Sequence, residues 1–437
     1  MRGFVFRPFP FLRDQLTVLA MNKAEDLIAE MTAKARAAAR VIAQAKDLTK
    51  ANALKAAAAA LRDQATEILS ANAVDFEAAM KAGLSAAMLD RLKLDVSRIE
   101  SMASAVDQVA VLADPVGEMI DTRTQPSGLV MERVRVPIGV LGIIYESRPN
   151  VTADAAALGL RSGNAVILRG GSEAVNSNRA IHAAMIEGIT AAGLPADAVQ
   201  LVPTQDRAAV GAMLRAQGAI DMIIPRGGKS LVARVLDEAR VPVLAHLDGI
   251  CHTYIHGDAD PAMARAMVVN AKMRRTGICG ATETLLIDQD YGAPGELVSA
   301  LIDAGCEVRA EDMLMELDAR TVSADDADWD TEYLDSVISA RVVSGLEEAM
   351  EHIARHGSHH TDAIITQDET VAARFLAEVD SAIVMHNAST QYADGGEFGL
   401  GAEIGIATGR LHARGPVALE GLTTYKWLVH GQGQVRP

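Results

Sequence analysis

Short apolar runs alternating with helical stretches dominate this sequence, and no other feature narrows the possible folds as far. VLGIIY comes first, followed by a helical pattern over residues 153–160, then AVILR, a helix reaching Ile189, VQLVP and DMIIP. A second series runs through HTYI, ETLLI, CEVRA, SVISARVV, DAIIT and AIVMH, again with helical stretches between. Strands spaced in this way need crossover connections, so they lie parallel, with helices covering both faces of the sheet. Ligands are then expected in loops at the carboxyl ends of the strands. The fold class is α/β with two doubly wound lobes, the second expected to begin near Leu247. A chain of 437 residues is long enough for two cores.

Two segments depart from the alternation. Residues 23–69 are rich in Ala, Lys, Glu and Leu, with Leu27, Ile28, Met31 and Ala35 at helical spacing, and read as packed amphipathic helices. The stretch TRTQPSGLVMERVRVPIGV sets Val130, Val134 and Val136 among the charged Glu132, Arg133 and Arg135 around a Pro-Ser-Gly turn, the pattern of an exposed antiparallel hairpin. The first twenty residues are apolar and basic, but Arg7, Pro8, Pro10, Arg13 and Asp14 interrupt any signal peptide or membrane span. Residues 1–20 are expected to be a disordered extension, and Met21, at the start of the first clean helical pattern, is a candidate translation start. An intact mass beginning at Met1 in the native host would exclude that start.

The charge balance, -16, offers no whole-chain attraction to nucleic acid. Three cysteines, Cys251, Cys279 and Cys306, give neither a disulfide framework nor a Cys-x-x-Cys zinc motif, and suit a reducing cytoplasm. Cys279 lies in MRRTGICGATETLLI, between glycines and just after Arg274 and Arg275, where a thiol pKa can be lowered and the sulfur exposed. An isolated cysteine is more often a small buried hydrophobe, the reading kept for Cys251 and Cys306. His246, His252 and His256 form one histidine group and His356, His359 and His360 another. Neither contains a full ligand set, so structural or substrate-contacting roles are preferred to zinc, and no metal is expected.

No G-x-G-x-x-G follows a strand, and Arg226-Gly227-Gly228-Lys229-Ser230 only half matches a P-loop, since Ile223 stands where the first glycine is needed. ATP hydrolysis is not indicated. A glycine pair opening a helix after DMIIP still offers free amides to a phosphate, although a plain turn would use the same glycines. AVILRGGSEA carries the same ambiguity: Arg169 suits a ribose phosphate, while Ser172 suits a helix cap. The glycine-rich stretch NASTQYADGGEFGLGAEIGI reads as an irregular loop of the kind that often carries ligands.

Taken in order, these segments resemble the gamma-glutamyl phosphate reductases, also called glutamate-5-semialdehyde dehydrogenases, a branch of the aldehyde dehydrogenase superfamily. The resemblance is carried by PIGVLGIIYESRPNVTADAAALGLRSGNAVILRGGSEA, DMIIPRGGKSL, HLDGICHTYI, RRTGICGATETLL, HIARHGSHHTDAIIT and nearly everything from residue 387 to 427. It implies an aldehyde dehydrogenase-like fold: a nucleotide-binding domain over 21–246, a catalytic domain over 247–408, and an oligomerisation flap made by the hairpin at 120–137 with the tail 409–437. The implied reaction is the NADPH-dependent reduction of L-glutamyl 5-phosphate to L-glutamate 5-semialdehyde in proline biosynthesis, in the cytoplasm. A homodimer or homotetramer is implied, with glutamate 5-kinase as a candidate partner and no nucleic acid or membrane.

Carried over residue by residue, the resemblance makes Cys279 the nucleophile and Asn150 a donor to the oxyanion. Arg169, Gly170, Gly171, Ser172 and Glu173 would hold the adenosine side, Gly227, Gly228, Lys229 and Ser230 would pack near the pyrophosphate, and Glu332 would meet the nicotinamide ribose. Arg148, Arg274, Arg275, Ser358, His359, Asn387, Ser389 and Thr390 would bind substrate. Family members usually read N-A-S-T-R-F where this chain has Gln391 and Tyr392, so an arginine's role there is shared or lost. Hydrolysing relatives carry a general-base Glu in E-L-G-G, and the stretch HLDGICH is expected to put Leu247 in its place. Two other readings stay open: an acylating dehydrogenase that uses coenzyme A, and a non-catalytic homologue, which Gln391 invites.

Overall fold

The structure is a computed structural model that describes residues 10–436. Of the extension expected over 1–20, residues 1–9 lie outside the described residues. Residues 10–20 form the start of the helix Pro10–Ile42. Pro10 stands at the first helical position, where its missing N–H costs nothing, and no other Pro or Gly occurs before Ile42 to break the run. The chain divides into a first unit, residues 1–244 with 418–437, and a second, 245–417.

In the first unit the Ala-rich helix Asp47–Asp63 lies against the helix Val175–Ala191. Gly188 permits the approach, since a Cβ there would come within 2.1 Å of the Ala57 backbone nitrogen. Strands β1 (Met119–Thr124) and β2 (Val130–Pro137) form the expected hairpin, and its pairing runs from Thr124 with Val130 outward. The apolar runs become β3 (Val140–Tyr145), β4 (Ala165–Gly170), the short β5 (Val199–Leu201) and β6 (Met222–Arg226), in a parallel sheet of order β5-β4-β3-β6. Every residue of β3 and β4 is buried, which explains their unbroken apolar runs. The chain steps outward from β3 to β5 and then returns to β6 on the far side of β3. The order therefore reverses beside β3, and the carboxyl ends of β3 and β6 open a crevice.

The second unit holds β7 (Cys251–Ile255), β8 (Thr282–Asp288), β9 (Glu307–Ala310), β10 (Val322–Ser323), β11 (Val337–Val343), β12 (Thr361–Ile365) and β13 (Ile383–His386). They pair in parallel in the order β10-β9-β11-β8-β7-β12-β13. A small antiparallel pair, β14 (Gly405–Ala407) and β15 (Gly415–Val417), follows. This pair keeps residues 409–417 in the second unit, where Arg414 Nη1 also binds Asp380 Oδ1 at 2.7 Å. The tail therefore joins the first unit at Ala418, later than the Gly409 boundary read from the sequence. There β16 (Thr423–His430) pairs antiparallel with β2 along its whole length and completes a sheet of order β1-β2-β16.

Candidate active site

Three neighbouring parallel strands of the second unit, in the order β8-β7-β12, bring the loops that enter them side by side. Cys279 stands just before β8, His246 shortly before β7 and His360 immediately before β12. Their donor atoms all lie within 4.8 Å of one another. This cluster lies at the amino ends of its strands, whereas ligand loops were expected at the carboxyl ends. One histidine comes from each of the two sequence groups, and the sheet order is what joins them.

The two imidazoles meet edge to face, with centroids 5.1 Å apart. His246 Nδ1 is 2.7 Å from the Ile406 carbonyl, which can only accept, so Nδ1 carries the proton and Nε2 the lone pair. His360 is fully buried, with Nδ1 2.9 Å from Thr361 Oγ1 and Nε2 without a hydrogen-bond partner. Burial, and then the neighbouring His246, push its pKa down to about 3, so the ring is neutral near pH 7. Cys279 is half-buried, whereas Cys251 and Cys306 are buried. Burial raises the Cys306 thiol to about 12 and holds Cys251 well above its usual value.

Leu247 does not take the place expected of it. Its side chain is 37% exposed, while His246 turns toward the thiol. Reading HLDG against E-L-G-G residue for residue puts His246 at the glutamate's position. His246 and His360 are the functional candidates that sequence reasoning missed; that alignment was the available signal for the first, and none existed for the second.

The backbone around Cys279 is tightly held. A Cβ at Gly249 would come within 2.2 Å of the Cys279 carbonyl oxygen, so only glycine allows that approach. Glu332 Oε1 accepts the Gly249 amide at 2.9 Å, Ser358 Oγ accepts the Ile250 amide at 2.9 Å, and Cys251 Sγ donates to the Cys279 carbonyl at 3.1 Å. Glu332 and Ser358 thus steady the loop on which Cys279 rests. Cys279 also packs against the cluster of Ala363, Met385, Ala393 and Ile406.

Most other substrate candidates in this unit serve as ties. Asn387, at φ 50°, clips Thr366 through two hydrogen bonds, at 3.0 and 2.9 Å. Thr390 joins Thr282 and Thr253 in a buried hydroxyl chain, and Ser389 caps the turn at Gln391. His359 Nδ1 lies 2.8 Å from the Asp380 carbonyl. Gln391 is buried, and its Nε2 donates to the carbonyls of Ala271 and Arg275 at 2.8 and 3.2 Å. Arg274 and Arg275 are exposed.

In the first unit the candidates gather at the carboxyl ends of β3, β4 and β6. Arg169 is 8% exposed; Nη1 donates to the Gly170 carbonyl at 2.9 Å and Nη2 to that of Gln205 at 3.0 Å, and only Nε lacks a partner. Its fork thus holds the loop. Glu173 Oε1 accepts the backbone amide and hydroxyl of Ser147, which sits at φ 49°. Ser172 does not cap: Gly171 is the cap of the short turn Ser172–Ala174. The helix Lys229–Glu238 starts from Gly228 with no side-chain cap and no acid in its first turn, and residues 227–230 are exposed. The Gly228 amide donates to Glu146 Oε2 at 3.3 Å, and the exposed helix start directs its dipole toward solvent. Arg148 and Asn150 are exposed in the loop after β3, and Asn150 Nδ2 donates to Asp154 Oδ2 at 2.8 Å. Burial raises the Asp154 carboxyl to about 6.

The sequence model of the Aldehyde dehydrogenase family matches residues 9–320. A curated gamma-glutamyl phosphate reductase of Rhizorhabdus wittichii is 66% identical over 429 residues, covering 98% of this chain and 100% of that protein. One from Sphingopyxis alaskensis is 69% identical over 416 residues, covering 95% and 97%. The crystal structure of a gamma-glutamyl phosphate reductase from Thermotoga maritima superposes with a TM-score of 0.91 at 43% identity, over 94% of this chain and 100% of that one.

Proposed function

The chain belongs to the aldehyde dehydrogenase family and, within it, to the gamma-glutamyl phosphate reductases, and from that membership we propose that it reduces L-glutamyl 5-phosphate to L-glutamate 5-semialdehyde, releasing phosphate, with NADPH as reductant in proline biosynthesis. The observation that carries the proposal is the half-buried thiol of Cys279, with two imidazoles within 4.8 Å.

An acyl phosphate is already activated, so the protein's tasks are to supply a thiolate, steady the oxyanion and bind the leaving group. His246, its Nδ1 fixed on Ile406, takes the Cys279 proton on Nε2 and stays beside the thiolate as imidazolium. Sγ attacks the acyl carbon, the bond to the phosphate oxygen breaks, and a thioester forms on Cys279. Asn150 is the proposed oxyanion donor, and Arg148, Arg274 and Arg275 the proposed cations for the phosphate. Gly227, Gly228, Lys229 and Ser230 would hold the dinucleotide pyrophosphate, with Arg169 and Glu173 toward the adenosine ribose. When bound, the dinucleotide supplies the hydride that converts thioester to thiohemiacetal. While His246 keeps its proton it has no lone pair to activate water, so the thioester is left for reduction. Collapse of the thiohemiacetal releases the aldehyde and restores the thiolate.

Cys279→Ser should lower turnover by several orders of magnitude while NADPH still binds, read by single-turnover kinetics and fluorescence titration. Near-normal turnover in that variant would end the covalent scheme. The coenzyme A reading is separated by running the reaction backward: NADP reduction with glutamate semialdehyde should require phosphate and ignore coenzyme A. Binding of NADPH without turnover in either assay would favour the non-catalytic homologue.

A further inference from the structure

We propose that His246, Cys279 and His360 together form a binding site for a single zinc ion, and that zinc held there masks Cys279 and switches the protein off reversibly. One thiolate and two imidazoles are a donor set suited to a borderline-soft divalent cation, with a fourth position left for water or an anion. The donors already lie within 4.8 Å of one another. Tetrahedral zinc needs them about 3.5 Å apart, so side-chain rotations of roughly an ångström complete the site.

The second, independent observation is His360 Nε2, fully buried and without a hydrogen-bond partner. Cys251 spends its S–H on the Cys279 carbonyl, so its sulfur, 3.7 Å from His360 Nδ1, is placed to accept. With the proton on Nδ1, shared with the nearer Thr361 Oγ1, Nε2 presents a lone pair that none of the described residues uses. His246 Nδ1 is likewise tied, 2.7 Å from the Ile406 carbonyl. Outer partners that fix the tautomer in this way are what metal-ligating histidines need. Binding replaces the thiol proton by the metal, so one proton is released and nothing is oxidised or reduced.

The masking rests on Cys279 being the nucleophile; the binding does not. Cobalt(II) titrated into the full-length protein should give one equivalent of tetrahedral d–d absorption with a thiolate charge-transfer band, displaced by zinc. Cys279→Ser should lose the charge-transfer band, and His360→Gln should weaken binding tenfold or more. Because His360→Gln alters a buried ring, its melting curve is checked, and wild-type protein provides a second measurement: one equivalent of zinc should slow iodoacetamide labelling of Cys279, mapped by mass spectrometry, and EDTA should restore it. Unchanged labelling with zinc, or a thiolate band that persists in Cys279→Ser, would overturn the site. A wild-type band together with full turnover in Cys279→Ser would uphold the metal site and remove only the nucleophile reading.

Discussion

His360 illustrates how one ring's surroundings set a property of the whole protein. Its pKa is lowered from about 6.5 in the unfolded chain to about 3, and His352 is pushed the same way, first by burial and then by His252. Between those values the unfolded chain binds more protons than the folded one, so the stabilisation is complete above about pH 6.5 and is lost as pH falls toward 3. Urea midpoints measured from pH 7.5 down to 4 should therefore fall, and His360→Gln should flatten part of that slope; parallel curves for the two proteins would contradict the assignment. At this scale Cys279 was legible, because its glycine-flanked loop and the family motif both sit in the local sequence. The thiol's neighbours were not. His246 and His360 lie in separate histidine groups, and only pairing between β8, β7 and β12 makes them neighbours.

Elements are fixed by how their ends are satisfied. The helix Pro261–Met273 leaves carbonyls at its C terminus, and Gln391 supplies the donor for Ala271 and Arg275. This answers the departure from N-A-S-T-R-F in structural terms: the side chain at this position ties a loop to a helix end. Gln391→Ala strands a buried carbonyl and should cost about 1–3 kcal/mol, read as a lower denaturation midpoint. Gln391→Arg, which keeps donors within reach, should lose less; equal losses would mean that the packing of the amide, and not its hydrogen bonds, matters. The strands themselves were readable because parallel strands buried on both faces must be continuous apolar runs. Ser172 shows the converse, since a good capping residue was bypassed when Gly171 took the cap position.

At the scale of the molecule, the tail closes a sheet that the hairpin alone leaves open. Truncation after Val417 removes β16 and exposes the edge of β2, an unpaired strand that invites aggregation. The same sheet displays the half-exposed Tyr425, Trp427 and Val429 and is the surface proposed for homodimer or homotetramer formation. The truncated protein should elute in light-scattering chromatography as monomer or aggregate, whereas the full chain should elute as a discrete oligomer; an unchanged oligomer would place the interface elsewhere.

The sequence by itself determined the α/β class, both strand series, the hairpin and the family, and it singled out Cys279 as the candidate nucleophile, because apolar periodicity and short motifs are local and survive without coordinates. Tertiary structure alone decided that the Cys279 cluster sits at the amino ends of the second unit's strands, that His246 and not Leu247 faces the thiol, that His360 completes the cluster, and that the tail returns at Ala418. The reason is strand order: hydrogen bonding between parallel neighbours joins loops that lie far apart along the chain, and nothing in any one segment records which strand will lie beside it.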